Sequence, residues 1–152
     1  MERIYIDTSV IGGRFDKVFK EDTKLFFESF KNGEFIIVIS GVTEDELIDA
    51  PENVIEFYEK LPLEQIEKVK LTKQATELAD KYIEEKVVGK TNRRDCLHIA
   101  IATLNKVDIL VSWNFKHIVN LEKIRGYNSV NLRLGHHSLE IRTPKETLKY
   151  EN

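Results

Sequence analysis

The segment Glu34-Phe-Ile-Ile-Val-Ile-Ser40 is an almost unbroken apolar, β-branched run of strand length. Such a run lacks the wet face of an alternating strand, so it belongs inside a parallel sheet covered on both sides. A chain that buries a strand in this way needs helices above and below it, which points to an α/β fold. The rest of the sequence offers the required partners. Arg3–Ile6 is a short β-like run ending in Asp7-Thr-Ser, where a loop is expected, and residues 23–30 carry Leu25, Phe26 and Phe30 at helical spacing. After the central run a helix is predicted from Thr43, interrupted at Pro51, resumed through Val54, Ile55, Phe57 and Tyr58, and stopped by Pro62.

Ile66, Val69 and Leu71 fit a short edge strand. Thr72 suits the N-cap of a helix through Ala75, Leu78, Ala79, Tyr82 and Ile83, with Gly89 as its C-terminal stop. Thr91 or Asn92 then caps a helix over 93–105, which is apolar almost all round and is expected between the sheet and another helix. Asp108-Ile-Leu-Val-Ser112 follows as a further parallel strand. Strand and helix thus alternate four times without a repeat, low-complexity tract or linker. The expectation is a single domain over 1–152: a mostly parallel, twisted sheet of about four to five strands, joined by right-handed crossovers and covered by helices on both faces.

Cys96 is the only cysteine, which excludes an intrachain disulfide and paired-cysteine zinc sites and favours the cytoplasm. It reads as buried packing, not as a nucleophile. No stretch has the length of a membrane span or the core of a signal peptide, so no membrane partner is expected. The net charge of −3 counts against nucleic acid as a bulk number. Acids gathered around a divalent ion, however, lower the net charge while making their own site attractive to phosphate.

Ligands of open parallel sheets bind beyond the carboxyl ends of the strands. Asp7 ends the first strand, Glu46 lies in the first turn after the second, Asp95 starts the apolar helix and Asn114 follows the last core strand. All four can converge on one sheet edge, whereas Asp108 precedes its strand and belongs on the opposite one. Three acids and an amide suit a hard cation such as Mg²⁺ or Mn²⁺. Each also has a plainer reading. Asp7, Thr8 and Ser9 make an ordinary turn, Thr43-Glu-Asp-Glu46 reads as a capping box, and Asp95 complements a helix dipole.

In these four segments the sequence resembles the PIN-domain nucleases, in particular the VapC-like toxins of toxin–antitoxin pairs. Tyr5-Ile-Asp7-Thr-Ser-Val10, Ser40-Gly-Val-Thr-Glu-Asp-Glu46-Leu, Arg94-Asp95-Cys-Leu-His-Ile-Ala-Ile-Ala102 and Leu110-Val-Ser-Trp-Asn114-Phe match the family's motifs in order and spacing. The resemblance implies a PIN-like fold and a divalent-metal-dependent endoribonuclease. It carries Asp7, Glu46 and Asp95 over as metal ligands, with Ser112 orienting a ligand or water. It also implies a small antitoxin partner and a homodimer. Asn114 stands where the family more often has an aspartate. An amide lends an oxygen without charge, which weakens metal affinity and bears on a second ion.

Thr8 and Ser9 are candidate phosphate or metal-water contacts. Lys90, Arg93 and Arg94, with Arg14, Lys17 and Lys20, are candidate clamps for an RNA backbone, each with a solvated surface as its plainer role. His98 lies one turn from Asp95 but inside an apolar helix, so it reads as a core residue outside the site. His136-His137 has no third ligand nearby. Two other classes of function remain. An aspartyl phosphatase would also place an acid where Asp7 is, but it needs a second acid two residues on, where Ser9 stands. A catalytically weakened PIN-like module binding RNA or a protein partner is kept open by Asn114.

Overall fold

The computed structural model describes residues 1–149, so the last three positions of the expected 1–152 span lie outside it. Five strands, β1 (Arg3–Ile6), β2 (Ile36–Ser40), β3 (Ile66–Val69), β4 (Ile109–Val111) and β5 (Ile141–Arg142), form one sheet in the order β3-β2-β1-β4-β5. Every pairing is parallel. The helices are α1 (Thr8–Gly12), α2 (Lys20–Lys31), α3 (Gly41–Ile48), α4 (Glu52–Glu59), α5 (Lys73–Glu84), α6 (Arg93–Leu104) and α7 (Leu121–Arg133).

The central strands are buried on both faces, and their alternation splits the core. On β1, Ile4 and Ile6 pack with Phe26, Phe27 and Phe30 of α2, while Tyr5 points the other way into the layer of α5, α6 and α7. On β2, Ile37 and Ile39 join the phenylalanine side and Val38 the other. This two-sided burial is what the apolar run in β2 demands. Helix α6 is enclosed from Cys96 to Thr103, as its nearly uniform apolarity predicts. Among the described residues no helix is long and apolar enough to cross a membrane.

Several boundaries differ from expectation for identifiable reasons. Helix α3 begins at Gly41, two residues early, because Ser40 is its N-cap: Val42 N–H donates to Ser40 Oγ at 3.2 Å, and Ser40 N–H reaches Thr43 Oγ1 at 3.5 Å. The capping box is therefore Ser40 with Thr43, and Glu46 is released from the capping role the sequence offered it. Helix α5 stops at Glu84, before Gly89. Lys86 takes the left-handed conformation (φ 62°), and the Val87 and Lys86 N–H groups bond back to the Tyr82 and Ile83 carbonyls, closing the helix in a Schellman turn. The loop expected after β1 is instead the short helix α1.

Gly13, just past α1, is fixed by packing. A Cβ there would meet Trp113 Cδ1 and Nε1 at 2.7 Å and Thr23 Oγ1 at 2.8 Å, the two side chains that hydrogen-bond to each other. Gly13→Ala should cost about 1–3 kcal/mol through overpacking. Trp113 is the only tryptophan. A lowered melting temperature should therefore accompany a shifted intrinsic emission maximum, and an unchanged spectrum would refute the clash.

Candidate functional site

Parallel pairing sets the centre of the site. Ile6 and Val111 are register partners, so Asp7 and Ser112 leave adjacent strands side by side at their carboxyl ends. Ser112 Oγ donates to Asp7 Oδ2 at 2.7 Å, and Ser9 Oγ donates to Asp7 Oδ1 at 2.6 Å. The two serines are themselves held by backbone: Trp113 N–H donates to Ser9 Oγ at 2.9 Å and Asn114 N–H to Ser112 Oγ at 3.0 Å. Asp7 stands at the N-cap of α1 but makes no capping bond, since its carboxylate is turned to these hydroxyls. It is 5% exposed. Burial holds its pKa above the ordinary carboxylate value, against the opposing influence of His98 and both serines, with Glu46 adding to the rise.

Glu46, on the second turn of α3, reaches back across the sheet end. Its Oε1 accepts from Thr8 Oγ1 at 2.9 Å and lies 2.6 Å from His98 Nε2. Burial works against its charge, but the His98 contact outweighs it, assisted by Thr8 and Arg94, and its pKa falls. Asp95 sits three residues before His98 on the same face of α6. Its pKa is raised by burial and then by the charge of Asp7, with a smaller contribution from Glu46. The three expected acids thus meet in one electrostatic field, and each is partly stripped of water.

His98 was the residue sequence reasoning left outside. It is a buried, hydrogen-bonded core histidine, 1% exposed, as that reading held, yet its partners belong to the site. Nδ1 lies 2.7 Å from the Tyr5 hydroxyl, which in turn lies 2.7 Å from Ser40 Oγ, while Nε2 meets Glu46. Burial opposes the imidazolium, but Tyr5, Glu46 and Asp7 together push its pKa up to about 10. A doubly protonated ring donates at both ends, which matches both contacts. The only available signal was its spacing of one turn from Asp95. His117, also missed, lies near enough to Asp95 to favour that carboxylate's charge.

Asn114 reaches the site with the opposite polarity from that expected. Its Oδ1 accepts from Lys116 N–H at 3.2 Å and His117 N–H at 2.9 Å, and its Nδ2 faces both oxygens of Asp95 at 3.4 Å. The amide oxygen thus closes a turn, and the amide nitrogen offsets the acid's charge. Among the basic residues, Arg94 acts on Glu46. Arg93 is turned aside to Asp80, 3.1 Å away, and Lys90 is exposed in a turn just before α6. Cys96 is buried, with its thiol pushed up to about 12, so it is no nucleophile at neutral pH. Asp108 lies at the opposite edge, accepting from Arg3 N–H.

Among the described residues no group of three or more His, Cys, Asp or Glu side chains is arranged so that it could hold a metal ion as it stands. The donor chemistry nevertheless fits a hard divalent ion. Among the described residues Asp95 carries only the long Asn114 contacts, and Glu46 uses Oε1 alone. Oxygens are therefore left facing a partly buried excess of negative charge, the setting in which a divalent cation binds. Asp7, Glu46 and Asp95 are the side chains that would hold it.

No family model and no curated protein matches the chain. Solved structures do. VapC20 of Mycobacterium tuberculosis, described as a sarcin-ricin loop cleaving toxin, aligns with a TM-score of 0.57 at 10% identity over 90% of this chain and 98% of its own. FitAcB of Neisseria gonorrhoeae aligns with a TM-score of 0.59 at 12% identity, over 93% and 97% of the two chains. VapBC2 of Rickettsia felis, solved with a DNA fragment from its promoter, gives 0.52 at 15% identity over 93% and 98%. Likeness at such low identity establishes architecture, and on that ground this chain has the PIN-domain fold of the VapC-like toxins.

Proposed function

We propose that this protein is a divalent-metal-dependent endoribonuclease, the toxin of a toxin–antitoxin pair acting in the cytoplasm, with Mg²⁺ or Mn²⁺ as its ion. The observation that carries the reading is the gathering of Asp7, Glu46 and Asp95 at the carboxyl edge of the sheet, each partly desolvated, with Asp7 and Glu46 both acting on Asp95 and Glu46 acting on Asp7. When bound, the ion supplies Lewis acidity toward a phosphoryl oxygen and lowers the pKa of a water. The chain's own part is to present oxygens in fixed positions. Ser9 and Ser112 clamp both oxygens of Asp7, and Thr8 and His98 clamp one oxygen of Glu46. Arg94 offers positive charge to an incoming phosphate beside Glu46.

The partners follow the same reading: an RNA substrate, a small antitoxin covering the site, and a second copy of the chain. Removing divalent ions from the purified protein with a chelator should lower cleavage of a labelled single-stranded RNA by at least about 100-fold, and added Mg²⁺ or Mn²⁺ should restore it. Cleavage indifferent to the chelator would sink the metal-dependent mechanism. The turned amide of Asn114 favours one other reading, a weakened module that binds RNA or a protein without cutting. RNA binding without hydrolysis at any metal concentration is the result that selects it.

A further inference from the structure

Beside the acidic centre lies a ladder of aromatic rings that neither the core nor the site uses fully. Trp113 is buried and anchored, its Nε1–H donating to Thr23 Oγ1 at 2.9 Å. Phe19 stacks on it with ring centroids 4.3 Å apart and planes 14° from parallel. Phe115 leans against this pair, 5.9 Å from Phe19 and 6.2 Å from Trp113 with its plane tilted 37° and 46° from theirs, and remains 48% exposed. It is the residue after Asn114, whose amide faces Asp95. Val18, next to Phe19, is 78% exposed and widens the apolar surface.

The surface has cationic flanks. Lys17 and Lys20 bracket Val18 and Phe19, and Lys116 follows Phe115. None of the three forms an ion pair among the described residues. Asp16, just before Lys17, is turned onto the Val18 and Phe19 N–H groups, while Glu21 and Asp22 follow Lys20 in the first turn of α2. A flat ring on a rigid stack, interleaved with free ammonium groups, is chemically suited to an unpaired nucleobase and the phosphates on either side of it.

We infer that Phe115, supported by Phe19 and Trp113, is a stacking platform for one base of a single-stranded RNA beside the scissile phosphate, with Lys17, Lys20 and Lys116 on the flanking phosphates. The inference rests on the ribonuclease reading for its substrate class, but its test does not need cleavage. Base–aromatic stacking tolerates any base, so the platform sets affinity and register and leaves base identity unread.

The probe is a short single-stranded RNA carrying one 2-aminopurine, mixed with the Mg²⁺-supplemented protein and read by stopped-flow fluorescence before turnover. Wild-type protein should quench the probe. F115A and F115L should both bind about 10-fold more weakly, since leucine keeps apolar area but has no ring face. F115Y and F115W should stay near wild type, as should L134A, an exposed apolar change at the far end of α7. Wild-type affinity in F115A, full binding by F115L, or the absence of quenching in the wild type each overturns the platform. So does an F115A protein that keeps RNA affinity but loses self-association in sedimentation, which would assign the patch to an interface between copies. Cleavage is scored separately. A wild-type protein that quenches but never cuts ends the ribonuclease reading and keeps the platform, whereas equal cleavage and binding by wild type and F115A do the reverse.

Discussion

Asp7→Asn should abolish RNA hydrolysis while leaving the metal-free protein at least as stable as the wild type. Asparagine is nearly isosteric and still accepts from one of the two serine hydroxyls at that position. What it removes is a buried negative charge that raises the pKa of Asp95 and whose own pKa is raised by burial. A carboxylate held above its ordinary pKa is less favourable charged in the folded chain than in the unfolded one, so at neutral pH its ionisation lowers stability. Neutralising it relieves that cost and takes away one of the oxygens proposed to hold the ion. Activity should fall by about 10²–10³-fold or more, on the scale of losing one preorganised charge-stabilising group. Thermal melts in chelator should show no loss for the variant, and added Mg²⁺ should raise the melting temperature of the wild type more than that of the variant. A variant that is inactive because it is unfolded, or one that retains cleavage, contradicts the assignment.

His98→Ala should be the most damaging single change to the fold. It opens a cavity in α6, leaves the Tyr5 hydroxyl facing that cavity, and strands the partly buried Glu46 carboxylate without its cationic partner. Breaking a buried pair from one side costs about 3–5 kcal/mol, which at this chain length lowers the melting temperature by about 10 °C. The effect has a signature in pH. The folded pKa of His98, about 10, lies above the ordinary 6.5 of the unfolded chain. Its contribution is thus fully present below about pH 6.5 and is lost as pH rises through about 10. Wild-type stability should decline across that window. His98→Gln, which keeps a polar side chain without a titrating ring, should flatten the decline while restoring part of the melting temperature. If the slope persists in the glutamine variant, His98 is not its source.

The contrast between these two residues shows what could be read from the chain in advance. The strands were legible because β2 is apolar on both faces, and the crossovers because Thr72 and the apolar stripe of α6 mark their helices plainly. From strand ends alone, Asp7, Glu46, Asp95 and Asn114 could be sent to one rim. The orientation of Asn114 could not, because it depends on two N–H groups in the turn that follows. Nor could the partnership of His98, which needs Tyr5 from β1 and Glu46 from α3 to arrive together.

Glu46 was obscured by a local pattern that fitted too well. Thr43 with Glu46 has the spacing of a capping box, but Ser40, three residues earlier, takes the cap and uses Thr43 instead. Helix α7 was hidden by Gly126, Asn128 and Asn131, all weak helix formers. Tertiary contacts explain all three: a Cβ at Gly126 would lie 2.8 Å from Val87 Cγ1, Asn128 donates to the Leu139 carbonyl at 2.9 Å and accepts from its N–H at 2.7 Å, and Asn131 accepts from the Tyr82 hydroxyl while its amide reaches Thr103 Oγ1 at 3.3 Å. Strand β5, two residues long, and helix α1, five, are too short to leave a period.

The side chains of this centre are far apart along the polypeptide: Asp7 and the Ser112 hydroxyl that holds it are separated by 105 residues. A nascent or clipped fragment lacking β4 has neither the Ser112 clamp on Asp7 nor the neighbour strand that aligns it. On the nuclease reading, a chain cut anywhere between β1 and β4 is therefore disarmed once the β4 segment leaves, even though Asp7 itself is untouched.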